Sequence, residues 1–209
     1  MSGAATTQQL VHRVRRAHIE RETLETRISL ALDLDGAGTV KSATGVPFFD
    51  HMLDAFGRHA RVDLTVTCDG DAAMDPHHTV EDVGIVLGQA IRQALGDRAG
   101  ITRFGHAYAP LDEALARVVV DCSGRPCLHM EAAFPEESIA PGFVASLIEE
   151  FWRAVVMNAM LTVHIDLLRA RNSHHAAEAI FKAGAVAIRA ATRVGSDPSR
   201  VPSTKGMLA

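Results

Sequence analysis

HHTVEDVGIVLGQAIRQAL, residues 77–95, and HHAAEAIFKAGAVAIRAAT, residues 174–192, decide the fold. Each opens on two histidines, places a glutamate fifth (Glu81 and Glu178) and continues with apolar residues at helical spacing. They stand 97 residues apart, and a repeat of that size organises everything around it. Upstream, FFDHMLDAFGRHARVDLTV (48–66) aligns with LIEEFWRAVVMNAMLTVHI (147–165), an amphipathic helix running into a strand in both copies. Further back, ETRISLALDLDG from Glu25 aligns with EALARVVVDCSG from Glu113. The offsets drift from 97 to 99 to 88, so the loops differ while the order of elements is kept.

Each half therefore reads as strands, helix, strand, helix. The predicted strands are Ile28–Leu34, Val62–Thr67, Leu115–Asp121 and Leu161–Leu167, and the predicted helices 48–60, 78–95, 143–159 and 175–193. The implied class is α+β, a tandem duplication in which helices cover one face of each sheet. The junction is predicted at Gly96-Asp97-Arg98-Ala99-Gly100, dividing the chain into 1–98 and 99–209. The first twelve or so residues and the last few are expected to be mobile. Asp33-Leu34-Asp35-Gly36 lacks the further acidic residues of a calcium loop and reads as a turn of the hairpin kind. Cys127 to Val144 carries no assignable pattern.

Composition narrows the classes. With 209 residues, 47% hydrophobic and 22% charged, the chain is neither disordered, collagenous nor a heptad rod. Charges interrupt every apolar run before about 18 residues, so no membrane partner is expected. The start, MSGAATTQQLVHRVRRAH, has no apolar stretch of the secretory kind. Cys68, Cys122 and Cys127 form no CxxC pair, which favours a reducing, cytoplasmic setting. A net charge of -4 argues against a nucleic-acid partner.

Histidine is abundant: eleven residues, four of them in the two pairs. Residues four apart share a helix face, so His77 with Glu81, and His174 with Glu178, could each chelate an ion. His78 and His175 point about 100° away and would serve a second ion. Imidazole with carboxylate suits Mn, Fe or Zn. Asp75 and Asp82 are candidates to orient the rings. A single His-His pair is as readily a chance surface feature, but two copies with glutamate at the same offset are not. His51, near the start of a helix, gains weight as a ligand from this company. Arg125 sits in a turn, SGRP, that does not need an arginine. In Pro202-Ser203-Thr204-Lys205-Gly206, two hydroxyls and an ammonium suit a phosphate or carboxylate.

Taken in order from about Arg21 to Gly206, RETLET, FFDHML, DPHHTVED, ITRFG, PLDEAL, DCSGRP, RNSHHAAEAIFKA and PSTKG resemble the imidazoleglycerol-phosphate dehydratase family of histidine biosynthesis, in its monofunctional form. The resemblance implies dehydration of imidazole-glycerol phosphate to imidazole-acetol phosphate. It implies two Mn²⁺ ions per subunit, bound between subunits of a homo-oligomeric shell of about 24 chains. The implied metal ligands are His51, His77, His78, Glu81, His174, His175 and Glu178, with His51 also beside the substrate. Glu25 matches the family's acid/base carboxylate. Arg103, Arg125, Lys182, Ser203, Thr204 and Lys205 would grip the glycerol phosphate, and Asp112 would contact a hydroxyl or shape a loop. An imidazole held as an anion between two metals could expel the hydroxyl, which is otherwise a poor leaving group.

The repeat sets Glu150 opposite His51, where many relatives carry a ligand histidine. Either Glu150 or His164 completes the second site, and Glu150 is the expectation, because manganese accepts carboxylate at the same helical position. Ala55, Met160 and Ala170 depart from common family residues. Two other classes compete. A two-metal phosphohydrolase would want bridging carboxylates rather than histidines. A non-enzymatic metal-binding shell would leave Glu25 and the PSTKG tail without a role.

Overall fold

The computed structural model describes residues 14–70, 72, 75–195, 197, 200–204, 206 and 208. The first half runs β1 (Arg16–Glu22), β2 (Thr26–Asp33), β3 (Val40–Ala43), α1 (Pro47–Ala60), β4 (Asp63–Gly70), α2 (His77–Leu95). The second runs β5 (Phe104–Leu111), β6 (Ala114–Asp121), β7 (Cys127–Glu131), β8 (Ser138–Ala140), β9 (Phe143–Val144), α3 (Ser146–Ala159), β10 (Thr162–Arg169), α4 (Ser173–Thr192). The sheets are ordered β1-β2-β4-β3 and β5-β6-β10-β7, each antiparallel except for its last pair. Same order and same directions make the duplication visible in three dimensions. The predicted mobility of the first twelve residues concerns positions outside the described residues.

The predicted helices and strands are present, with ends shifted by up to three residues. Edge strands β1, β3, β5 and β7 were not anticipated. RAHIERE (β1) and CLHME (β7) keep few side chains fully buried, so their alternation is faint. The Asp33–Gly36 turn does not close a hairpin. It sends the chain past β4 to its far edge, where β3 pairs in parallel. There the Asp63 carboxylate accepts the backbone N–H groups of Ala37, Gly38 and Thr39 at 2.8–3.1 Å. Within 127–144, β8 and β9 form a small hairpin that the first half lacks.

Alternation positions the layers. Ile28, Leu30 and Leu32 of β2 are buried while Arg27 and Ala31 are exposed, so one sheet face is covered and the other open. Helix α2 lies on β1 and β2, and α4 on β5 and β6. Across the halves α1 packs on α4 and α2 on α3, so the helices form a layer between the sheets, around one continuous core. The α2–α3 approach is set by glycine. A Cβ on Gly88 would stand 2.5 Å from the Val155 carbonyl oxygen and 2.7 Å from the Asn158 Cβ. Gly88→Ala should therefore cost about 1–3 kcal/mol by overpacking, outweighing alanine's helix propensity, and lower the thermal midpoint. An unchanged or raised midpoint would contradict this packing. No helix among the described residues is long and apolar enough to cross a membrane.

Candidate metal centre

The α1–α4 contact brings donors from both halves together. Nε2 of His51 (α1) and Nε2 of His174 (α4) lie 3.2 and 3.0 Å from the same oxygen, Oε1 of Glu178. One donor atom from each of the three falls within 4.8 Å of the others. Local sequence holds this arrangement. The Asn172 side chain accepts the His175 N–H to start α4, and the Ser173 hydroxyl donates to the Glu136 carbonyl at 2.8 Å. Phe48 walls the cluster, its ring edge-on to His174 and His51. Burial alone would push the Glu178 carboxyl up, but the Lys182 ammonium 2.6 Å from Oε2, with the two rings, holds it down at about 2. Two imidazoles and an ionised carboxylate at this spacing fit a divalent Mn, Fe or Zn ion.

The first half repeats the parts in a looser form. Nε2 of His77 lies 3.8 Å from Glu81, and Nε2 of His78 lies 3.7 Å from Glu25. The ring planes of His77 and His78 stand at 88° to one another, and those of His174 and His175 at 86°, so the two pairs share one arrangement. Glu25 is placed by a turn in which the Thr23 hydroxyl accepts the N–H of both Glu25 and Thr26. Among the described residues, His77, His78, Glu81 and Glu150 do not join a second three-residue cluster. Glu150 faces Arg153 on its own helix at 3.9 Å. His164 is exposed on the open face of the second sheet beside His129, with ring centroids 5.4 Å apart, away from the helix layer.

Neither aspartate predicted to orient the rings does so. Asp75 accepts the His77 backbone N–H. Asp82 is buried and accepts from the Thr26 hydroxyl at 2.5 Å while pairing with Arg21. The carboxylate that meets the Nδ1 side of a paired histidine is Glu113, 2.9 Å from Nδ1 of His175. Sequence reading passed over it, although its alignment with Glu25 was a signal. Asp112 stands 4.0 Å from the same ring, at a positive φ of 46° in the β5–β6 turn.

The anion-gripping residues divide. Arg103, Ser203 and Thr204 line one cavity of about 550 Å³, together with Arg200, which the sequence did not single out. Arg103 donates through Nε and Nη2 to Asp121 and through Nη1 to the Pro202 carbonyl, tying the tail to the β5–β6 edge. Arg125 is exposed in the turn after β6, and Lys182 is engaged at Glu178; neither lines this cavity. Lys205 lies outside the described residues.

Known proteins resemble the chain over nearly its whole length. Residues 44–188 match the family model described as imidazoleglycerol-phosphate dehydratase. A protein of that name from Azoarcus sp. (strain BH72) is 55% identical, covering 93% of this chain and all of its own. One from Alkalilimnicola ehrlichii is 53% identical, covering 93% of this chain and 98% of its own. The crystal structure of the Staphylococcus aureus N315 enzyme superposes with a TM-score of 0.78 at 40% identity, covering 86% of this chain and 99% of that one.

Proposed function

The chain belongs to the imidazoleglycerol-phosphate dehydratase family, the hydro-lyases of histidine biosynthesis, and on that premise we propose that it removes water from imidazole-glycerol phosphate at manganese ions. The product on this reading is imidazole-acetol phosphate. The convergence of His51, His174 and Glu178 carries it. These three hold one ion, and His77, Glu81 and Glu150 hold another. His78 and His175, whose ring planes stand nearly perpendicular to those of their neighbours, would offer ligands to adjoining subunits of a homo-oligomeric shell. Manganese held by these residues would supply Lewis acidity to the substrate's imidazole ring.

The chain's own groups supply the rest. Glu25, half exposed beside His78, exchanges the proton at the glycerol carbon. Arg103, Ser203 and Thr204, which share one cavity, hold the phosphate and fix the reach of the glycerol arm. Lys182 keeps Glu178 ionised and ready to ligate. The test is turnover of imidazole-glycerol phosphate by chelator-treated protein, with and without added Mn²⁺. Activity should vanish on chelation and return with Mn²⁺. Light scattering on the same samples should show smaller particles after chelation, since subunits share ligands. Full turnover in the metal-free protein would overturn the metal reading.

A further inference from the structure

We propose that Glu113 is a positioning residue, fixing the ring of His175 so that Nε2 is presented to a metal ion; this rests on the manganese reading above. The carboxylate is clamped at both oxygens: Oε2 lies 2.9 Å from Nδ1 of His175, and Oε1 accepts the Arg171 N–H at 3.1 Å. An ionised carboxylate can only accept, so Nδ1 carries a proton, and in the neutral ring that leaves Nε2 with the lone pair that ligation requires. Such a partner on the remote nitrogen restricts both tautomer and ring rotation before the ion arrives. Arg171 begins the turn into α4, so Glu113 references the ring to the backbone that carries the whole ligand helix.

Comparison with the first half sharpens the assignment. Glu25 occupies the same place in the repeat, in the turn before the second strand, and faces the equivalent histidine, His78. It approaches a different ring nitrogen, Nε2, and only to 3.7 Å, with over half of its side chain exposed. Glu113 has about a third exposed and is hydrogen-bonded. The duplicated carboxylate thus has two uses: Glu25 is left able to move a proton, and Glu113 is committed to holding a ring.

The experiment compares Mn²⁺ titrations of chelator-treated wild-type protein and Glu113→Ala, followed by calorimetry, with the thermal midpoint of each metal-free protein recorded alongside. One class of Mn²⁺ site should weaken by about 10–100-fold while the other is unchanged. Should Glu113→Ala fail to fold, Glu113→Gln, which keeps one acceptor oxygen for the turn, gives the same comparison with a loss at the lower end of that range. A lower midpoint with unchanged Mn²⁺ affinity would show that Glu113 merely staples the turn and would overturn the positioning role alone. Wild-type protein that binds no Mn²⁺ would overturn the manganese reading and this inference together.

Discussion

Glu25→Gln should lower turnover of imidazole-glycerol phosphate by about 10²–10⁴-fold, the usual contribution of a general acid–base group. The amide matches the carboxylate in shape but cannot take up a proton. Leu24 beside it is fully exposed, and the turn is held by Thr23 rather than by the Glu25 side chain, so stability should not change. Bound manganese should stay the same as well. The comparison is steady-state kinetics with metal content measured on the same sample. Turnover equal to wild type would remove Glu25 from the chemistry. Loss of metal in parallel would instead make it a ligand.

Glu178→Gln should be about as damaging by a different route. On the proposed manganese reading, one Mn²⁺ per chain should be lost, and with it Lewis-acid stabilisation worth several kcal/mol, about 10³-fold in rate. Here metal content and turnover fall together, the reverse of the Glu25 pattern. The variant should also change acid stability of the metal-free protein. Glu178 is held well below the ordinary carboxylate range, so its contribution is fully present above about pH 4.5 and is lost as pH falls towards about 2. The glutamine variant lacks that part of the acid transition. An identical acid-unfolding curve would mean that the Lys182 contact does not stabilise the fold.

Much of this was legible in the sequence, and the failures have physical causes. TRISLALD announced itself because one face of β2 packs on helices and the other meets solvent. RAHIERE did not, because an edge strand with charged residues on its open face has little contrast to show. The histidine–glutamate motifs were visible because they occur twice. That His51 meets His174 rather than His77 was invisible, since it follows from α1 crossing α4, a contact between halves that no local pattern encodes. Asp82 was misread for a related reason. Its proximity to the histidines in sequence suggested a shared task, while its actual partners, Thr26 and Arg21, lie more than fifty residues away. Glu113 shows the opposite limit. The alignment revealed its kinship with Glu25, but the difference between them is a matter of ångströms and of which ring nitrogen is met.

The cluster of His51, His174 and Glu178 also bears on ancestry. Its donors come from both halves of the chain, so neither half owns a complete set. A half-length chain with one helix histidine and one HHxxE segment could bring such a trio together only by pairing with a second copy. Two identical copies, joined across a two-fold axis, would have built two equal centres at once. Two copies joined in one chain are free of that equality, because a mutation in one no longer has to appear in the other. His51 in one copy where the other has Glu150, and a loose Glu25 where the other has the clamped Glu113, are divergences that a homodimer could not have accumulated.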